Sequence, residues 1–160
     1  MSMSGYPWDL EERVEDAIVA YIKQQAGGEM MVIPWRSIEE ARYPLVVVQY
    51  EDSNNTTEDQ EFSGRRQMTI RVSITTEAVN NNGDAGTVRA NMTAREIHRQ
   101  VKSSVIGALA GKTIQDDLNA IGSEGVNFSF CQMTAQSGDA GDGMIITEQE
   151  LIVIAQPKEI

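Results

Sequence analysis

The chain has 160 residues, a length that fits one domain built on a single core. Hydrophobic residues make up 41% and there are 13 glycines, a globular composition that excludes collagen-like, coiled-coil and wholly disordered chains. Thirteen Lys and Arg against 24 Asp and Glu leave −11 at pH 7, which argues against a dedicated nucleic-acid binder and against docking on anionic membranes, since both depend on clustered cations.

The first eight residues have neither a basic start nor an apolar run, so a flexible N-terminus over 1–8 without a signal peptide is expected. Leu10, Val14, Ala17, Ile18, Tyr21 and Ile22 then recur at helical spacing, with Glu11, Glu12, Arg13, Glu15 and Asp16 on the other side. Asp9 is placed to cap this helix, and Gly27-Gly28 to end it. Residues 30–35 read as a short strand at an edge or bend, because Pro34 cannot donate to a central ladder. Pro44 opens the β-branched run 45–50, a strand covered on both faces. Met68, Ile70, Val72 and Ile74 alternate with polar residues, the pattern of a strand with one face on a core. The acidic stretch 52–64 between these strands is longer than a simple hairpin turn.

A turn-rich segment, 80–86, leads to a second helix. Thr93 and Glu96 have capping-box spacing, and Ala94, Ile97, Val101, Val105, Ala108 and Leu109 make an apolar stripe that ends at Gly111. A short helix over 113–121 precedes two closing strands, 126–133 and 145–155, joined by a glycine- and aspartate-rich loop over 135–143. Two amphipathic helices and about five strands predict an α+β fold: a two-layer sandwich with a largely antiparallel or mixed sheet covered on one face.

Reactive groups are few. His98 flanks the apolar stripe of its helix and reads as a partly buried, hydrogen-bonded side chain rather than a catalytic base. Cys131, the one cysteine, lies in a strand with no cation beside it in sequence, a setting for an inert thiol. One Cys and one His exclude finger-type zinc sites, and Asp139 and Asp142 lack the spacing of a calcium loop. The glycine-rich 138–143 stretch has no lysine and precedes a strand, so a phosphate cradle is not expected. No enzyme activity, metal or cofactor is expected.

The conspicuous features are long polar loops on patterned strands, where proteins place binding. In 52–64 the acids Glu58 and Asp59 accompany Phe62, and Arg65 and Arg66 follow; aromatic and arginine side chains are favoured interface anchors. With Asp139 and Asp142 in the second loop these are the candidate interface residues, the alternative being loops without a partner.

The helix over 10–22, the entry Tyr43-Pro44 into Leu45-Val46-Val47-Val48, the acidic loop, the alternating strand 66–76, the helix 94–109 and the final strand pair ending Leu151-Ile152-Val153-Ile154 together resemble the tail terminator, or tail completion, proteins of long-tailed bacteriophages. The resemblance covers almost the whole chain and lies in element order and loop placement. It implies a homo-oligomeric ring, typically a hexamer, that caps the tail tube protein and meets the head-tail connector protein. It places the chain in the virion neck, assembled in the host cytoplasm, with DNA passing through the lumen without specific binding and with no membrane. A head-closure, connector or baseplate subunit would share much of this patterning. A small ligand-binding regulatory α+β domain is the alternative of a different class.

Overall fold

The computed structural model describes residues 10–27, 30–37, 42–55, 65–77, 93–111, 113–121, 125–141 and 143–157. Helix α1, Leu10–Ala26, buries all six residues of its predicted stripe, and Gly27 ends it at φ 55°, a left-handed conformation open to glycine without steric cost. Strand β1, Met31–Pro34, is followed by one 3-10 turn, Trp35–Ser37, and then by β2, Leu45–Asn55. Strand β3, Arg66–Glu77, keeps the predicted alternation, with Met68, Ile70, Val72 and Ile74 buried. Helix α2, Ala94–Leu109, starts on the predicted capping box: the Glu96 amide donates to Thr93 Oγ1 at 3.2 Å and the Thr93 amide donates to Glu96 Oε1 at 3.3 Å. Helix α3, Ile114–Ile121, leads to β4, Val126–Gly141, and β5, Met144–Pro157. The position expected to cap α1, Asp9, lies outside the described residues.

The five strands form one mixed sheet in the order β1-β2-β3-β5-β4. Only β1 and β2 run parallel; the other neighbours are antiparallel. One face of the sheet joins the three helices in a single core, in which Val46, Val48, Ile70, Val72, Leu151 and Val153 meet Val14, Ile18, Ile97, Val101 and Leu118. The tyrosine of the α1 stripe, Tyr21, also ties the helix layer together by donating to the Ala108 carbonyl of α2 at 3.1 Å. The α+β sandwich expected from the sequence is thus the observed architecture. As the β-branched run predicts, β2 is buried on both faces at its start: Leu45 and Val47 are covered as well as Val46 and Val48. Among the described residues no helix is long and apolar enough to cross a membrane.

Two expectations need correction. The stretch 135–143 is not a loop. Gln136 to Gly141 pair in register with Gln149 to Met144, so β4 and β5 form one long hairpin paired out to Gly141 and Met144, with Gly143 at φ 75°. Backbone pairing with a strong partner outweighs the poor strand propensity of Ser137, Gly138, Asp139 and Gly141. The acidic loop expected over 52–64 also begins later, since Asp52 to Asn55 belong to β2 and pair with Thr69 to Arg66. On α1, Glu15 lies opposite the apolar stripe and yet is only 3% exposed.

Candidate interaction surface

Glu15 is buried because the sheet leaves a gap that a carboxylate fills. Strand β1 stops at Pro34, opposite Val48, so among the described residues the β2 edge beyond it has no strand neighbour. At Tyr50, beside a register shift in the β2–β3 ladder, the backbone amide donates to Glu15 Oε2 at 2.7 Å. Arg36, carried in by the 3-10 turn, donates to Glu15 Oε1 at 2.8 Å and pairs with Asp16 and Glu12. Burial raises the Glu15 carboxyl above its ordinary range, while the Tyr50 amide and the Arg36 guanidinium pull it back. One turn earlier, Glu11 accepts from Ser53 Oγ at 2.6 Å and from Arg66 Nη1 at 3.1 Å. The acids of α1 therefore stitch the helix to the sheet edge.

A second polar layer sits under α2. His98, 7% exposed, lies 2.9 Å from Thr76 Oγ1 through Nδ1 and 2.8 Å from Thr147 Oγ1 through Nε2, so each ring nitrogen meets a buried hydroxyl. Burial, with Lys102 as a lesser contributor, lowers its pKa and keeps the ring neutral. This is the buried, hydrogen-bonded histidine expected from its place on the helical wheel. Gln149, also buried, donates to the carbonyls of Ala135 and Glu150 at 3.1 and 3.0 Å and accepts from Gln136 at 2.8 Å, filling the register shift between Met133 and Gln136. Burial pushes the Cys131 thiol up to about 12, which disfavours its thiolate. Among the described residues no group of three or more His, Cys, Asp or Glu converges as a metal site.

On the exposed side of α2, Arg95, Arg99 and Lys102 occupy positions i, i+4 and i+7, a single stripe along the helix. The stripe forms one wall of a groove of about 300 Å³; His98 lies at its base, and Ala140 and Ile145 of the β4–β5 hairpin form the other wall. Among the described residues none of these three cations makes an ion pair. By contrast Arg36, Arg66 and Arg71 are all engaged with carboxylates. The spacing of the stripe was readable in the sequence, but a search guided by apolar periodicity passes over it.

The second feature missed is the outer edge of β4, the last strand of the sheet. Near its start, Asn119 of α3 covers that edge by accepting from the Phe128 amide at 2.8 Å and donating to its carbonyl at 2.9 Å. Beyond Phe128, among the described residues, no strand lies along it.

Of the residues expected at an interface, three are described: Arg65, Arg66 and Asp139. Glu58, Asp59, Phe62 and Asp142 lie outside the described residues. Arg65 donates to Gln156 Oε1 at 3.2 Å and Arg66 is held by Glu11, so both are engaged within the fold. Asp139 is exposed near the hairpin tip, its Oδ1 accepting from the Ala140 amide at 2.7 Å. Arg66 aligns with Ala155 and Asp139 with Ile146, nine residues apart along β5, or roughly 30 Å. Arg66 and Asp139 thus belong to opposite ends of the sheet.

No protein-family model and no curated protein matches the chain. Among solved structures it is similar to a chain of the virion of a native gene transfer agent particle, at 8% identity and a TM-score of 0.54, over 94% of this chain and 99% of that one. At that identity the likeness is one of fold, and it spans both chains nearly end to end.

Proposed function

We propose that the chain is a structural virion subunit, specifically a tail terminator: a non-catalytic protein that assembles into a ring, hexameric as the family resemblance implies, caps the tail tube and meets the head-tail connector in the neck. The observation that carries this reading is the fold shared with a virion chain across 94% of one sequence and 99% of the other, so that the likeness leaves no sizeable remainder in either. The order of helices and strands that resembles tail terminators supports the finer assignment. The open β4 edge supports assembly, since an unpaired strand offers a row of backbone donors and acceptors to a neighbour. The net charge of −11 suits a lumen through which DNA slides, because a negative wall repels phosphate.

Size-exclusion chromatography with light scattering, followed by negative-stain microscopy, tests the ring. A closed assembly of defined stoichiometry is expected, and a protein that stays monomeric at every concentration overturns the reading. A head-closure, connector or baseplate subunit of such a particle is the alternative reading. Labelling of intact particles separates these, the terminator reading requiring label at the junction of tail and head.

A further inference from the structure

The groove beside α2 is built against the preferences of the helix that carries it. Arg95 is the second residue after the Thr93 cap, where the positive end of the helix dipole disfavours a cation. Arg99 and Lys102 follow at i+4 and i+7, so like charges are stacked on neighbouring turns, which also disfavours the helix. A chain with 24 acids could neutralise them, yet among the described residues none of the three is in an ion pair. Sequence choices that oppose local stability mark positions held for another purpose. Here the three charges line a concave surface with an apolar wall, Ala140 and Ile145, which is a seat for an extended acidic segment.

We infer that the occupant is a second copy of this chain, presenting the acidic stretch that runs from Asp52 through Glu58, Asp59 and Glu61 without a cation. This deepens the ring assignment and rests on it. The charges are complementary, and the geometry forces the contact to be between copies. The stretch leaves and re-enters the sheet where Asn55 pairs with Arg66, whereas the groove lies at the other end, where Thr76 pairs with Ile145. Ten residues of β3 separate these ends, roughly 33 Å. Chain residues 56–64, pinned at both ends, reach at most roughly 17 Å outward at full extension. A subunit cannot fill its own groove. Joining one end of a subunit to the opposite end of the next is a heterologous contact, the kind that closes into a ring.

The test is a charge swap. In one variant Arg95, Arg99 and Lys102 become Glu; in the other Asp52, Glu58, Asp59 and Glu61 become Lys. Each alone sets like charge against like charge and is expected to lose assembly by at least about tenfold in midpoint concentration. Mixed, the two restore complementary pairs and should assemble in alternation, with a salt sensitivity like that of the wild type. Circular dichroism melts check that each variant folds, and an Arg95→Ala, Arg99→Ala, Lys102→Ala triple replaces the reversal if it does not. If each variant assembles alone as the wild type does, the groove proposal falls while the ring stands. If the wild type itself never assembles, the ring reading falls, and a labelled peptide of residues 50–62 then decides the groove. Binding to wild-type protein that is at least about tenfold weaker in the triple variant upholds it. No binding, or a groove that takes duplex DNA and not the peptide, overturns it.

Discussion

Arg36 and Arg95 stand beside two helices of the same layer and have opposite fates. Arg36 is gathered into a cluster with Glu12, Glu15 and Asp16 that seals the β2 edge. Arg95, with Arg99 and Lys102, faces a groove and pairs with no carboxylate among the described residues. The first arrangement is a folding device: a buried carboxylate is retained because it satisfies an amide that the sheet cannot. The second makes no ion pair among the described residues and, by the place of Arg95 on the helix, opposes the dipole. The difference separates charge that shapes the fold from charge that makes no ion pair within it among the described residues.

The sharpest way to break that contrast is to remove Glu15. Glu15→Ala strands the Tyr50 amide and deprives Arg36 of its buried partner, and should cost about 3 kcal/mol in urea unfolding. A loss within the range of an ordinary surface substitution would mean that water replaces the carboxylate and that the edge is not sealed as described.

His98 lies between the two regimes, a polar group used for folding at the base of the groove. His98→Leu leaves the Thr76 and Thr147 hydroxyls without their shared partner, at a cost of about 2 kcal/mol. Its titration gives a second reading. Burial lowers the folded-state pKa of His98, so the unfolded chain binds the proton more readily. The stability this group contributes is fully present above its ordinary value near 6.5 and is lost as pH falls below it toward the lowered folded value. Stability measured from pH 7 downward should therefore decline, and His98→Gln should flatten that part of the profile. An unchanged slope in the variant would assign the decline to other groups.

The smallest expected effect has the opposite sign. Arg95→Glu puts an acid where the α2 dipole favours one and should raise stability by about 0.5 kcal/mol in thermal or urea unfolding. A loss of stability would show that Arg95 serves the fold after all and would erase the distinction between it and Arg36.

Much of this architecture can be read from residue spacing. The strand around Ile70 and Val72, both helical stripes, the Thr93 capping box and the edge character of Pro34 each follow from local pattern. What could not be read depends on partners distant in sequence. Ser137, Gly138 and Asp139 look like a loop because their strand identity comes from β5, whose own alternation of Thr147, Gln149 and Leu151 holds them. Glu15 looks solvent-facing because a helical wheel carries no knowledge of where β1 stops. The candidate site was less legible still. Arg66 was visible as a cation near an acidic loop, but its engagement with Glu11 depends on α1 crossing the sheet, and the α2 stripe was overlooked because three cations leave little trace in a strongly acidic total.

The two register shifts in β4, after Phe128 and after Met133, give its free margin an uneven spacing of amides and carbonyls. A straight, regular strand cannot stay in step with such a margin for long. Indiscriminate stacking into fibrils is thereby discouraged, and a legitimate neighbour must be either short or matched to the same irregular rhythm.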